Sequence, residues 1–525
     1  MKLPLLLATV FSFSLIAQNL TFEQKMSDFN QLVSEIRIGY GPLNFKKKKM
    51  GLSLKDLKVK YKDLIKETKS NGDFYYLIGQ FVAEFDDAHF SARVPTKHKA
   101  KLNFDTELIG GKVLITKINR EKLSEKDFPF AIGDEVVEFN GKSIDTLLQK
   151  LDSYRGMANK FSNKKYASYL VTNRSGTMMP VPNGEAKVKI RKGLSKIIDE
   201  VTLKWEQEGK PLDEYSAPKT IKSIPSMGDF LDFDEISVNI DRNYSCKGST
   251  RIKIPENAVI IMKEPFVAYY HSTEKGNIGY LRIPHYAPVN KHGARDYETR
   301  FAQYEYAVSE LEANTVGLII DQDHNCGGSV SYLHRILSLF MNVPYQDMQF
   351  RLLGSKQSYL AFDAWSGSIV KKSIDRKNYD RVMDLIKTTW FEGQNFLTKK
   401  TAINGNLDLL RPNRITYTKP IVMLIDEMSG SGGDAFPALM QGYDRATLLG
   451  TRTMGAGGHV IKLRPLGHSQ LNVRMTKSLF YRPDGVEVEN NGVNPDIEYR
   501  LTRDDIMYEF RAYQKFYLDQ LFNLL

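Results

Sequence analysis

Two short runs of unbroken apolar residues, VGLII at 316–320 and IVMLI at 421–425, constrain this chain more than any other feature. A strand with no polar alternation must be buried on both faces, as in parallel sheets covered by helices. Each run ends in Asp, passes a glycine-bearing turn and leads into a helical pattern: VSYLHRILSLF after the first, 433–443 after the second. The strand-like segments NIGYLRI and TLLG accompany them, with a helical stretch over 297–311. Such alternation predicts an α/β layered domain with a largely parallel sheet over residues 256–500.

A length of 525 residues calls for further domains. Lys2 followed by the apolar run 3–16 and the small residue Ala17 reads as a signal peptide over 1–17, for an exported protein that is periplasmic or secreted. The run is too short to span a bilayer and no second one of spanning length follows, so no stable membrane span is expected. Residues 18–103 carry helical spacing, as in Phe29, Leu32, Val33 and Ile36, and predict an N-terminal helical domain. Residues 104–206 predict a small β domain: a hairpin about Gly110-Gly111, a strand at Val136, Val137 and Phe139, a turn at Asn140-Gly141, and a helix capped by Ser143. Within it, 155–181 is an insertion. Residues 207–255 are a polar connecting segment and 501–525 a helical tail.

Hydrophobic residues at 42% and charged residues at 26% place the chain among ordinary globular proteins. The net charge of +11 is small over this length, and the densest basic run, 46–49, reads as a solvated helical face; no nucleic-acid partner is expected. The two cysteines, Cys246 and Cys326, make no disulfide framework, though one bridge is open to them. No His-x-x-x-His, Cys-x-x-Cys or phosphate-binding glycine loop occurs, so neither metal nor cofactor is expected.

The segment PIVMLIDEMSGSGGDAFPALM holds the clearest chemistry. Ser431 falls on a glycine-rich turn between a buried strand and a helix, close to the positive end of the helix dipole. Such a turn exposes a nucleophile and offers backbone N–H groups to an oxyanion. With Ser at 429, the sequence departs from the Gly-x-Ser-x-Gly of α/β-hydrolases.

This stretch resembles the nucleophile region of the S41 peptidases, the C-terminal processing (tail-specific) and tricorn-type proteases, with Asp434 on the family's acidic position. GLIIDQDHNCGG resembles the family's Asp-x-Arg-x-Asn-x-Gly-Gly element and VEVENNGVNPDI its Glu-x-x-Gly-Val-x-Pro-Asp element. IGDEVVEFNGKSI resembles a circularly permuted PDZ domain. The resemblance implies a serine peptidase acting on proteins or peptides, including those with a free C-terminus, which the PDZ-like domain would capture as an added strand. It puts Ser431 on the nucleophile, Gly432 and Gly327 at the oxyanion hole, and Asp321, Asn325 and Gly328 in support.

The departures bear on the base. Processing proteases carry a lysine where this chain has Ala456. The tricorn type uses histidine, and His89 falls where that residue is expected, with Glu489 in the C-terminal element. Histidine suits the task because its unperturbed pKa is about 6.5. The family's auxiliary serine is Ala88 here, with Ser91 as a substitute; His459 and Lys462 are alternative bases. The alternative function is a catalytically inactive binding protein on the same scaffold.

Overall fold

The computed structural model describes residues 19–212, 236–237, 251–289, 296–366, 374–393 and 396–525; the apolar stretch read as a signal peptide and Cys246 lie outside them. Four helices come first: α1 (Phe22–Gly39), α2 (Leu43–Met50), α3 (Leu54–Lys66) and α4 (Asn71–Ala83). Thr21 and Gln24 close a capping box at the start of α1, and its spaced Phe29, Leu32 and Ile36 are fully buried. These residues share one core with Leu466, Leu471, Val473 and Met475, which come from a hairpin far down the chain. The hairpin strands Val460–Lys462 and Asn472–Thr476 pair with each other, and the second also pairs with Ser91–Arg93. The buried Asp28 carboxylate fastens the join by accepting from His468 N (2.8 Å) and Ser469 N (2.6 Å). The N-terminal helices therefore have no core of their own.

The β domain is an antiparallel sheet of β1 (Phe104–Ile109), β2 (Lys112–Ile118), β3 (Glu135–Phe139), β4 (Glu185–Arg191) and β5 (Ile198–Lys204), in that spatial order. Gly110 and Gly111 turn the first hairpin with φ of 56° and 77°, as a two-residue turn requires. Helix α5 (Ile144–Asp152) starts at Ser143, whose Oγ accepts from Thr146 N. The insertion supplies α6 (Lys160–Tyr169), which lies along the edge strand β1. There Leu108 N donates to Ser168 Oγ (2.8 Å) and Lys165 Nζ donates to Leu108 O (3.0 Å). The expected capture of a peptide as an added strand therefore meets an edge whose backbone groups at Leu108 are already engaged.

The third unit is a seven-stranded sheet: β6 (Val259–Met262), β7 (Ala268–Thr273), β8 (Gly276–Arg282), β9 (Gly317–Asp321), β10 (Ile421–Ile425), β11 (Thr447–Gly450) and β12 (Ile497–Glu498). From β8 to β12 every pairing is parallel, while β6 and β7 add antiparallel strands at one edge. The apolar runs are the central strands β9 and β10, and alternate residues feed opposite layers. Leu318, Ile320, Ile421 and Met423 pack with α7 (Tyr297–Asn314), α8 (Val330–Leu337) and α9 (Gly432–Gly442). Ile319, Val422 and Leu424 pack with Tyr513, Tyr517 and Leu521 of α10 (Arg511–Phe522). The C-terminal residues thus form the second helical layer of this domain.

Replacing Asp28 with Ala leaves a buried N–H at Ser469 and a part-buried one at His468 without acceptors, at a cost of about 2–3 kcal/mol. Urea unfolding of D28A should show its midpoint lowered accordingly; an unchanged midpoint would show that the hairpin does not depend on this carboxylate.

Candidate active site

The turn between β10 and α9 is held from several sides. Asp426 Oδ1 accepts from Met428 N (3.1 Å) and Ser429 Oγ (2.9 Å), and Gly430 N donates to Asn325 O (2.9 Å). Ser431 then takes φ 62° and ψ −112°, a conformation that a residue with a Cβ keeps only when its surroundings impose it. Asp434 imposes it. Its buried carboxylate accepts from Ser431 N (2.8 Å), Ala456 N (2.9 Å), Gly455 N (2.8 Å) and Thr453 Oγ1 (2.5 Å). Burial pushes this carboxyl up to about 6, against those bonds.

The glycine turn after β9 packs against the start of α9. A Cβ on Gly432 would stand 3.1 Å from Gly327 Cα and 2.7 Å from the Tyr286 ring, so only glycine fits. Asn325 organises this turn: its Nδ2 donates to Ile283 O (2.7 Å) and its Oδ1 accepts from Gly327 N (2.8 Å). Among the described residues no group accepts the Gly432 N–H. Gly327, the other expected oxyanion donor, has its N–H turned into its own loop. Gly327–Gly328 also pairs antiparallel with Ile236–Ser237 of the connecting segment. Asp321, at the end of β9, is tied to Arg282 (2.8 Å) and Tyr280. Cys326 is disulfide-bonded.

His89 sits on the turn between α4 and the strand Ser91–Arg93, with 3% of its surface exposed. Asp87 fixes this turn: its Oδ1 accepts from His89 N (2.8 Å), and its Oδ2 from Tyr40 Oη (2.8 Å) and Thr476 Oγ1 (2.8 Å). Neither ring nitrogen of His89 has a hydrogen-bond partner among the described residues. Burial pulls the imidazole down to about 4, only partly opposed by Asp87. It is therefore neutral, the form a base needs, throughout the ordinary pH range. His459 lies close enough for its own pKa to feel His89, but its Nδ1 is bonded to Ser478 Oγ (2.7 Å). Lys462 is exposed, Ser91 is buried within its strand, and Ala88 lends only its carbonyl, to Arg155.

Glu489 is completely buried. Its Oε2 accepts from Gly457 N (2.9 Å), one residue beyond the loop that holds Asp434, and its Oε1 is ion-paired with Lys46. Burial, then Asp87, push the Glu489 carboxyl up to about 8, against the pull of Lys46. Lys46 itself departs from the sequence expectation. It is wholly buried, while its neighbours Lys47, Lys48 and Lys49 are exposed, so the basic run is a solvated face with one inward residue. Lys46, Tyr40 and Asp87 carried no motif that sequence reasoning could seize.

Comparisons with known proteins bear on the domains that carry these residues. Residues 277–499 match peptidase family S41 and residues 98–218 match a PDZ domain. The chain is 24% identical to a protein of Chlamydia pneumoniae over 555 aligned residues, covering 93% of this chain and 88% of the other. It is 36% identical to a carboxy-terminal-processing protease of Bartonella bacilliformis over 83 residues, 16% of this chain and 19% of that one. The solved structure of mature CPAF complexed with lactacystin superposes with a TM-score of 0.77 at 22% identity, covering 95% of this chain and 97% of that one.

Changing Asp434 to Asn turns an amide N–H2 toward two of its four donors, at a cost of about 2–4 kcal/mol. Thermal melting of D434N should show a clear drop. A melting temperature equal to wild type would mean that the nucleophile turn is held by other contacts.

Proposed function

We propose, for a serine-type peptidase built from a family S41 domain and a PDZ domain, that Ser431 attacks the peptide carbonyl and His89 serves as its general base in place of the usual lysine. The observation that carries this is the Ser431 turn: a buried serine forced to positive φ at the head of α9, beside an N–H group at Gly432 that no described residue engages. In the first step Ser431 Oγ bonds to the carbonyl carbon, and a ring nitrogen of His89 takes the hydroxyl proton. The Gly432 N–H and the dipole of α9 stabilise the oxyanion that develops. Gly327 joins as second donor if its N–H leaves Asn325 Oδ1. The cation on His89 then protonates the leaving amine, and water releases the acyl group by the same steps in reverse order.

Asp87, and Glu489 once it has lost its proton, supply the negative charge that offsets the His89 cation. Ala456 leaves no lysine to take this part, and its N–H is spent on Asp434. The substrate is a protein or peptide in extended form, laid along Gly327–Gly328 as the strand Ile236–Ser237 is. A free C-terminus read by the β domain would need α6 to leave β1. The signal-peptide pattern at the N-terminus supports export, and no helix among the described residues is long and apolar enough to cross a membrane.

A fluorophosphonate probe should label the purified wild type. Ser431→Ala should abolish labelling, and His89→Ala should slow it by about 100-fold or more. Casein hydrolysis should be lost in parallel. Folded wild type that neither labels nor cleaves casein would instead identify a silent binding protein on a peptidase scaffold.

A further inference from the structure

Lys46 is a lysine with no solvent exposure, on a helix far in sequence from the catalytic domain. Its ammonium meets three acceptors from two separate stretches of chain. One is the Asp86 carbonyl (2.9 Å), on the turn that carries His89. The others are Glu489 Oε1 and Asn490 Oδ1 (2.6 Å), on the C-terminal element. Asn490 returns to the same turn by donating from Nδ2 to Asp86 O (2.9 Å) and to Ala158 O (2.7 Å). Glu489 in turn holds Gly457 N, next to the residues whose N–H groups secure Asp434 and so Ser431.

Resting on the peptidase reading above, we propose that Lys46 is a positioning residue of the active site: its ammonium fixes the His89 turn against the Glu489 loop. A buried lysine satisfied by three acceptors is costly to place and serves poorly as mere packing. Its setting is specific. The groups bearing on Glu489 are Lys46 and Lys49 from α2, Tyr40 after α1, Asp87 beside His89, and the Gly457 N–H. Asp87 also bears on Glu489, so two carboxyl groups share one buried site; Lys46 pairs with Glu489, and buried Arg155 bears on Asp87. With Lys46 gone, Glu489 retains its proton to higher pH and no longer offsets the His89 cation.

The sign of the pH dependence follows. His89 is already neutral above about pH 4, so it does not set the working limb. Glu489 must lose its proton, and its carboxyl lies at about 8, so activity should rise with pH through that region. The experiment compares casein hydrolysis by the full-length wild type, Lys46→Met and Lys46→Arg across pH 5–10. Lys46→Met should lower kcat by about 30-fold or more with KM within about threefold. Its activity limb should move up by about one pH unit or more. Lys46→Arg keeps the charge and should restore the wild-type limb. Wild type that is active while Lys46→Met matches its kcat and limb would overturn the positioning role, as would a loss of activity in both variants with the limb unmoved. Wild type without activity would instead fail the peptidase reading. Should Lys46→Met not fold, Lys46→Gln, which donates without charge, takes its place with the same expectation and the same overturning result.

Discussion

The buried carboxylate of Asp434 is the constraint on which the site depends. A carboxylate in an apolar interior is stable only if its oxygens are satisfied, and here backbone donors do most of that work. Those donors belong to two segments that must meet: the turn at Ser431 and the loop 453–456. Satisfying Asp434 therefore closes the loop over the head of α9 and holds Ser431 at positive φ. The strain at the nucleophile and the need of the anion for donors are settled by the same contacts.

No one domain holds the rest of the site. The parallel sheet brings the ends of β9 and β10 side by side, so the two glycine turns touch. The helices α1 to α4 deliver Tyr40 and Lys46, and the turn that follows them delivers His89. The β domain contributes from α6 and its N-cap: Ser162 Oγ donates to Glu427 O (2.6 Å) and Asn159 Nδ2 to Met454 O (2.7 Å), both beside the nucleophile turn. That helix also takes up backbone groups at the edge of β1, which accounts for the insertion better than a loose surface loop would. The β domain is fastened to the catalytic machinery by the same element that covers its edge.

Much of this was legible because it is local. Five-residue apolar runs that end at glycine-bearing turns and alternate with helical patterns read as strands buried on both faces, so β9 and β10 and the layers about them followed from pattern. Ser431 was visible because a serine among glycines between strand and helix leaves little room for another geometry. The C-terminal element pointed to Glu489, and the tricorn-type resemblance to His89 ahead of the β domain; the fold draws both into one chain of contacts through Asp87 and Lys46. The shared core of α1 and the 460–476 hairpin was not legible, since nothing in either segment names the other. Lys46 was hidden for a related reason. In a run of lysines the helical period turns one inward, but which one, and toward what, depends on an acidic partner more than 400 residues away. Gly327 was misjudged in one respect: its N–H is turned to Asn325, a choice made by a side-chain rotamer that no spacing reveals.

The replacement of a lysine by Ala456 changes more than the identity of the base. A lysine on the glycine loop would place base and nucleophile on neighbouring segments of one domain. Here the loop donates its N–H groups to Asp434, and His89, the base proposed above, lies on the turn after α4. The N-terminal helices bury their apolar faces against the hairpin at 460–476. The candidate site is therefore shared between distant parts of the chain: the catalytic sheet carries Ser431, while the N-terminal segment carries His89 and Lys46, which reaches Glu489.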